Sequence, residues 1–143
     1  MSTAQIETIR TGTKPMESSP VLNLKSGKLQ LLRDQFFRGQ CILISNASGK
    51  ELHDLPEDDR MQLLRDLSLC SAVLMKALGA DKINIGAFND ECDYFFFYLT
   101  PKYVDAPGWG VPFTMVPSFE TILCDSERIK MIEDIQETFR RLS

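Results

Sequence analysis

Four cysteines and one histidine are the side chains of this 143-residue chain that could hold a transition metal. They are Cys41, Cys70, Cys92, Cys124 and His53. Structural zinc sites use closely spaced ligand pairs, but no two of these cysteines form a C-x-x-C pair. The sequence therefore predicts no metal site and no cofactor.

Cys92, Tyr94 and Tyr98 are the candidates for nucleophilic chemistry. A reactive thiol has positive neighbours that lower its pKa, whereas Cys92 lies between Glu91 and Asp93. A phenol has an ordinary pKa of about 10, so it is neutral at pH 7 and needs an adjacent base to act as a nucleophile. We interpret Cys92 as an inert small residue and neither tyrosine as a nucleophile.

The tyrosines belong to the segment from Tyr94 to Tyr103, which holds three of the nine Phe and all three Tyr of the chain. Aromatic side chains are enriched in strands, and a segment rich in Pro and Gly follows. The pattern predicts that this aromatic segment is the central strand of an antiparallel sheet.

Hydrophobic periodicity predicts the elements that position this strand. Other strands are predicted over 28–34, 40–45 and 82–88. A long helix is predicted over 56–78, because Pro56 suits a first turn and Gly79 suits a C-cap. A second helix begins at a cap formed by Asp125 or Ser126. Strands with short turns and two helices indicate an α+β fold.

The long helix carries a wide apolar stripe. Its residues are Met61, Leu64, Leu67, Ser71, Leu74 and Leu78, widened by Leu63, Cys70 and Ala77. Because the stripe is wider than contact with one sheet requires, we expect a second subunit to cover part of it. His53 precedes this helix and is interpreted as a residue that makes a local hydrogen bond.

Composition limits the domain organisation and the classes of partner. Residues 1–20 are polar and are interpreted as an arm lying on the surface or partly disordered, and residues 21–143 as a single domain. The net charge is −4, and no basic cluster exceeds Arg140–Arg141, which argues against nucleic acid and anionic membranes as partners.

The sequence also indicates a cellular compartment. The longest apolar run, Tyr94 to Leu99, is too short to span a membrane, and residues 1–12 do not resemble a signal peptide. Four cysteines without an evident pairing pattern are typical of a reducing compartment. We predict a cytoplasmic protein.

Several segments in order resemble the histidine triad (HIT) family. They are Arg38–Ile44, Glu51–Leu55, Ala80–Ala87, Pro101–Tyr103 and Asp105–Trp109. The resemblance covers roughly residues 21–113 and implies an antiparallel sheet of about five strands with one long helix and a C-terminal helix. It also implies a nucleotide hydrolase or transferase that acts at an α-phosphate.

The catalytic signature of that family is H-x-H-x-H, with the middle His as nucleophile, just before a Pro-Lys/Arg-Tyr segment. Counting back from Pro101 assigns the three histidine positions to Tyr94, Phe96 and Tyr98. An upstream phosphate-binding Asn corresponds to Asp90. An earlier His corresponds to a position at or near Ser48, and His53 is not one of the catalytic histidines.

These departures predict the loss of family-type catalysis, because a Phe side chain cannot be a nucleophile. Asp90, Glu91 and Asp93 would repel a phosphate. The donors that could still bind one near the triad positions are the Tyr hydroxyls, Asn84, Asn89, Thr100 and Lys102. The pocket-equivalent residues are Asn84, Asn89, Asp90, Tyr94, Phe96, Tyr98 and Trp109.

Three functions stay open on this basis. The first is a noncatalytic binding or interaction module whose aromatic residues fill the former pocket floor. The second is a nucleotide hydrolase with altered catalytic residues, acting on a dinucleoside polyphosphate or a nucleoside phosphoramidate. The third is a binder of a small apolar or planar ligand.

The resemblance also implies a homodimer formed through the 56–78 helix and the 82–88 strand, with the segment around Trp109 reaching towards the partner's pocket.

Overall fold

A computed structural model describes residues 6–11, 14–113 and 119–143. Its strands are β1 (Glu7–Thr11), β2 (Lys14–Asn23), β3 (Gly27–Leu32), β4 (Cys41–Ser45), β5 (Lys82–Gly86) and β6 (Phe96–Lys102). Its helices are α1 (Glu57–Leu78) and α2 (Asp125–Leu142), and a short 3-10 turn spans Leu52–Asp54. The α+β class predicted from the sequence is confirmed.

The six strands form one antiparallel sheet in the order β1-β2-β3-β4-β6-β5. The sequence predicted an arm over residues 1–20, but within that range β1 and most of β2 form a hairpin that extends the sheet beside β3. Its two strands join the four that were predicted as separate segments, so the sheet has six strands where the resemblance implied about five. Residues 1–5, 12 and 13 of the predicted arm lie outside the described residues.

The aromatic segment forms β6, between β4 and the edge strand β5. The sequence predicted that this segment is the central strand of the sheet. Within a single chain that prediction is wrong, because β6 lies next to the edge strand β5. Regular pairing covers Phe96–Lys102, and Tyr94 makes only an isolated bridge to Gly49. All seven residues of β6 are buried, because side chains from both faces of the sheet are covered.

The two helices pack against each other and cover one face of the sheet. Their apolar residues join Leu29, Leu31, Leu43, Phe97 and Leu99 of the strands in the larger of two core clusters. Alternation along the strands sends the neighbouring side chains to the opposite face. That second face holds the candidate site.

Helix α1 begins after Pro56 and ends at Gly79, whose φ of 64° is the left-handed conformation of a C-cap. Its buried residues are Leu63, Asp66, Leu67, Cys70, Val73 and Leu74. Two residues of the predicted stripe, Met61 and Leu64, are 45% and 37% exposed in the single chain. Those two side chains lie beside the buried face and not within it.

The one acid on the buried face of α1 joins the helix to the sheet. Asp66 accepts hydrogen bonds from the backbone N–H of Ser26 at 3.0 Å, from the Ser26 hydroxyl and from Gln62 Nε2 at 3.0 Å. Ser26 lies in the turn between β2 and β3. A buried carboxylate is tolerated when its oxygens accept such bonds, so this contact fixes the turn against the helix.

Helix α2 has Cys124 at its N-cap, without a side-chain capping bond. The cap predicted at Asp125 or Ser126 is therefore one or two residues too late, and Asp125 instead places its charge in the first turn. Among the described residues, neither helix is both long and apolar enough to cross a bilayer.

Candidate functional site

Three aromatic side chains form the centre of the second sheet face: Tyr94, Phe96 and Tyr98, which we call the aromatic group. Adjacent rings of the group lie 5.9 Å and 5.2 Å apart between centroids. The strand alternation of β6 produces this column, because residues two apart point to the same face. Phe96 is fully buried and packs in one cluster with Ile42 and Cys92.

Aromatic residues from two loops cover one end of the group. Phe88 and Phe113 lie 6.5 Å and 5.7 Å from the Tyr98 ring, and 5.8 Å from each other. The Phe88 ring sits against the backbone of Gly86, where a Cβ atom would come within 2.4 Å of it. The positions that the resemblance assigns to the histidine triad are therefore part of a packed aromatic cluster.

The two phenols of the group are poor nucleophiles. Burial, followed by the neighbouring Cys92, raises the pKa of Tyr98 to about 12. The same causes, in the same order, raise the pKa of Tyr94 well above its ordinary value. Both side chains are consequently neutral at pH 7, which agrees with the interpretation drawn from the sequence.

The thiols are equally unsuited to chemistry. Cys92 is buried, and its backbone N–H donates to the Asn89 carbonyl at 3.0 Å. Burial is also the main cause that raises the pKa values of Cys41 and Cys70, the latter to about 12. Cys124 is exposed, and its Sγ donates to Glu127 Oε1 at 2.9 Å.

Three polar side chains that could have bound a phosphate already make hydrogen bonds within the protein. Asn89 Nδ2 donates to the Phe96 carbonyl at 3.0 Å, which holds the 89–93 loop against β6. The Thr100 hydroxyl accepts from Gln40 Nε2 at 2.9 Å. The Lys102 ammonium donates to the carbonyls of Gly108 and Val111. The sequence identified these side chains but not their partners. Gln40 is 60 residues from Thr100 along the chain, and Val111 lies in an irregular loop.

The remaining pocket-equivalent residues lie at the margins. Asn84 is half-buried on β5, where it pairs with Thr100. Asp90 is exposed. Trp109 is 43% exposed, and no ring contact found among the described residues joins it to the aromatic group. The structure thus brings Tyr94, Phe96 and Tyr98 together with Asn89, but not with Trp109.

The loop that holds Ser48, the position assigned to the early histidine, borders the aromatic group. Gly49, next to the exposed Ser48, makes a parallel bridge to Tyr94, so this loop borders the aromatic group. His53 lies in the 3-10 turn before α1, exposed, with its Nε2 3.7 Å from Asp54 Oδ1. That position fits a local contact rather than catalysis.

The loops around the aromatic group are acidic. Asp90, Glu91 and Asp93 are exposed, and Lys50 lies 3.5 Å from Asp93 in an exposed ion pair. Such a pair contributes little to stability and neutralises only part of the local negative charge. Within the described ranges, no group of three or more His, Cys, Asp and Glu side chains is arranged to hold a metal ion.

We expect Phe96→Ala to destabilise the protein by about 3–5 kcal/mol, since it leaves a cavity between Ile42 and the flanking tyrosine rings. Phe119→Ala is the matched control. Its ring is 64% exposed, so the cost should stay below about 1 kcal/mol. Urea unfolding monitored by circular dichroism measures both. Equal effects would contradict the buried position of Phe96.

Stability should also fall at alkaline pH. The pKa of Tyr98 is 10.0 when unperturbed and about 12 in the folded protein, so between these values the folded state binds more protons. The stabilisation is complete below pH 10 and decreases as pH rises towards 12. Urea unfolding across this range should give a shallower decrease for Tyr98→Phe than for the wild type. If the unfolding free energies of the two proteins decreased equally with pH, the raised pKa of Tyr98 would be contradicted.

The fold agrees with solved structures of histidine triad proteins. No protein-family model matches the chain, and no curated protein sequence matches it significantly. A histidine triad protein of Sinorhizobium meliloti is 25% identical, with a TM-score of 0.77 over 85% of this chain and 89% of that one. A histidine triad protein of Bradyrhizobium japonicum is 19% identical, with a TM-score of 0.78 over 85% and 90%.

A more distant structure carries a specific activity in its name. It is a diadenosine triphosphate hydrolase of Plasmodium falciparum in complex with cyclomarin A, which is 9% identical, with a TM-score of 0.66 over 94% of this chain and 86% of that one. The similarity at these identities concerns the whole course of the chain and not single side chains. This chain is therefore a HIT-like protein by its fold, as the resemblance in its sequence predicted.

Proposed function

We propose that this HIT-like chain is a noncatalytic binding or interaction module that has lost nucleotidyl hydrolase and transferase activity. The observation that carries the proposal is the fully buried Phe96 ring at the position that the resemblance assigns to the nucleophile. Removal of a nucleophile lowers turnover by a factor on the order of 10⁴ to 10⁶ in other hydrolases. A phenyl ring offers no atom that could accept a nucleotidyl group.

The surroundings of Phe96 supply no substitute. Tyr94 and Tyr98 have raised pKa values because they are buried, and Cys92 is buried between acidic neighbours. A nucleophile shifted to one of these groups would need a base to take its proton. This argues against the second candidate, a hydrolase with altered catalytic residues.

Phosphate binding is disfavoured for two independent reasons. Asn89 and Lys102 already donate to protein carbonyls, so a phosphate would compete with those carbonyls, and the Thr100 hydroxyl is fully buried. The exposed carboxylates of Asp90 and Asp93 would repel a phosphate dianion at the same loops. An uncharged planar ligand neither needs these donors nor is repelled by the carboxylates. The half-buried Tyr94 ring and the 54% exposed Phe88 ring could stack on such a ligand, so we favour this ligand class.

The enzymatic test uses diadenosine polyphosphates and adenosine phosphoramidates as substrates. We expect no turnover above background, because the aromatic group supplies neither nucleophile nor base. A catalytically active histidine triad protein assayed in parallel is the control for the substrates. Turnover that is abolished by Tyr94→Phe or Cys92→Ala, each folded by circular dichroism, would contradict the proposal.

Calorimetry with AMP and GMP should show no micromolar affinity, whereas such affinity would contradict the charge argument.

We further propose a cytoplasmic homodimer that pairs through α1 and β5. Strand β5 is an edge strand, and Ile85 on it is 45% exposed. On α1, Met61 and Met75 are 45% and 38% exposed. Unpaired strand edges and exposed apolar residues favour association.

Light scattering tests the dimer directly. The wild type should have twice the mass of one chain, and Ile85→Asp should shift it towards a monomer, because a charge at the paired edge would be buried. Ile129→Asp, on α2 and 37% exposed, is the matched control and should leave the mass unchanged. A monomeric wild type at working concentration would remove the dimer without affecting the enzymatic proposal.

A further inference from the structure

Lys102, the last residue of β6, has a buried ammonium group. The residue is only 3% exposed, and burial lowers its pKa. An isolated buried charge is costly, so its donors must be satisfied. Among the ion pairs of the described residues, none includes Lys102, so no carboxylate compensates it directly.

The acceptors of this ammonium are two carbonyls of one loop, residues 104–111, which we call the Trp109 loop. Lys102 Nζ donates to the Gly108 carbonyl at 2.5 Å and to the Val111 carbonyl at 2.7 Å. The Phe37 ring centroid lies 6.0 Å from the same Nζ, a distance at which a cation is attracted to the face of a ring. The charge is therefore compensated by loop dipoles and an aromatic ring.

Gly108 suits this turn, because a side chain there would be strained by the backbone conformation and crowded by Phe37. Its φ is +87°, and a Cβ atom there would lie 3.1 Å from Phe37 Cε1. The Val111 N–H makes a long bond of 3.4 Å to the Gly108 carbonyl, which closes the turn around Trp109. The ammonium thus bonds to both ends of this turn at once.

Among the described residues, the loop backbone makes two further hydrogen bonds besides those already given. At its beginning, the Val104 N–H donates to Asp81 Oδ2 at 2.9 Å, and the Ala106 N–H donates to the Tyr103 carbonyl at 3.1 Å. The far half of the loop carries Trp109 and Val111, which are 43% and 59% exposed and gain little from burial. Its conformation must come largely from the Lys102 bonds and the Phe37 contact.

We propose that Lys102 is a positioning residue whose charge holds the Trp109 loop against the sheet and sets the orientation of the exposed Trp109 side chain. The alkyl stem alone would fill the same space without bonding to the two carbonyls. Removal of the charge should therefore release the far half of the loop while β6 and its two cores stay folded. This inference concerns the fold of one chain and holds whether or not the protein has a ligand or a partner.

The experiment compares Lys102→Met with Lys82→Met. Methionine keeps most of the stem and removes the ammonium, and Lys82 is the exposed lysine directly across the strand pair. Trp109 is the only tryptophan of the chain, so its fluorescence reports the loop. In Lys102→Met we expect emission at longer wavelength and stronger quenching by acrylamide, with unchanged far-ultraviolet circular dichroism. Lys82→Met should match the wild type.

Two outcomes would overturn the inference. A folded Lys102→Met with wild-type quenching, even at lower stability, would mean that the charge stabilises the domain without positioning the loop. If Lys102→Met does not fold, nuclear magnetic resonance of the wild type and of Gly108→Ala tests the inference instead. The wild type should show one slowly exchanging lysine ammonium signal, lost in Gly108→Ala together with increased Trp109 quenching. Absence of a protected ammonium in the wild type would refute the proposal.

Discussion

Burial of strand β6 on both faces is the constraint on which the rest of this structure depends. Every residue from Phe96 to Lys102 is buried, so each must suit either the helix-covered core or the core of the second face. Phe97 and Leu99 meet the helices, and Phe96 and Tyr98 meet Ile42 and the loop aromatics. A strand in this position gains most of its stability from apolar side chains, because each buried Phe contributes roughly 1.5–3 kcal/mol.

The same constraint acts on the polar residues of the strand. Thr100 and Lys102 cannot reach water, so their hydrogen bonds are made within the protein, to Gln40 and to the Trp109 loop. A buried polar group left without a partner costs about 1–3 kcal/mol, which explains why these contacts are direct and short. Thr100 joins β6 to Gln40 beside β4, and Lys102 joins β6 to the Trp109 loop.

Much of the fold could be predicted from the sequence, for identifiable reasons. Helix α1 has acids after Pro56 and a Gly79 C-cap, and both ends agree with the structure to within one residue. Strand β4 was predicted one residue too long, and β5 two residues too long, because Ala87 and Phe88 remain as apolar as a strand but leave the pairing. The hairpin of β1 and β2 was missed because polar residues and Pro dominate it, so it lacks the apolar alternation of a strand.

The face of α1 was harder to predict than its ends. Met61 and Leu64 fit a helical stripe as well as Leu63 and Cys70 do, and only packing against the sheet decides which of them is buried. The buried Asp66 could not be anticipated, since its partner Ser26 is 40 residues away in the chain. The hydrogen-bond partners of Asn89, Thr100 and Lys102 could not be predicted either, because they are distant along the chain or lie in irregular backbone.

The sequence by itself determined that no histidine stands at the three positions that the resemblance assigns to the triad, because the chemistry of a position depends on the side chain present. It also determined the class of fold, because periodicity and turn residues act locally. Only the tertiary structure decided that Phe96 is enclosed, that burial raises the pKa values of Tyr94 and Tyr98 further, and that the nearby polar side chains bond to protein atoms. Burial and hydrogen-bond partners arise from contacts between distant segments, which no local pattern specifies.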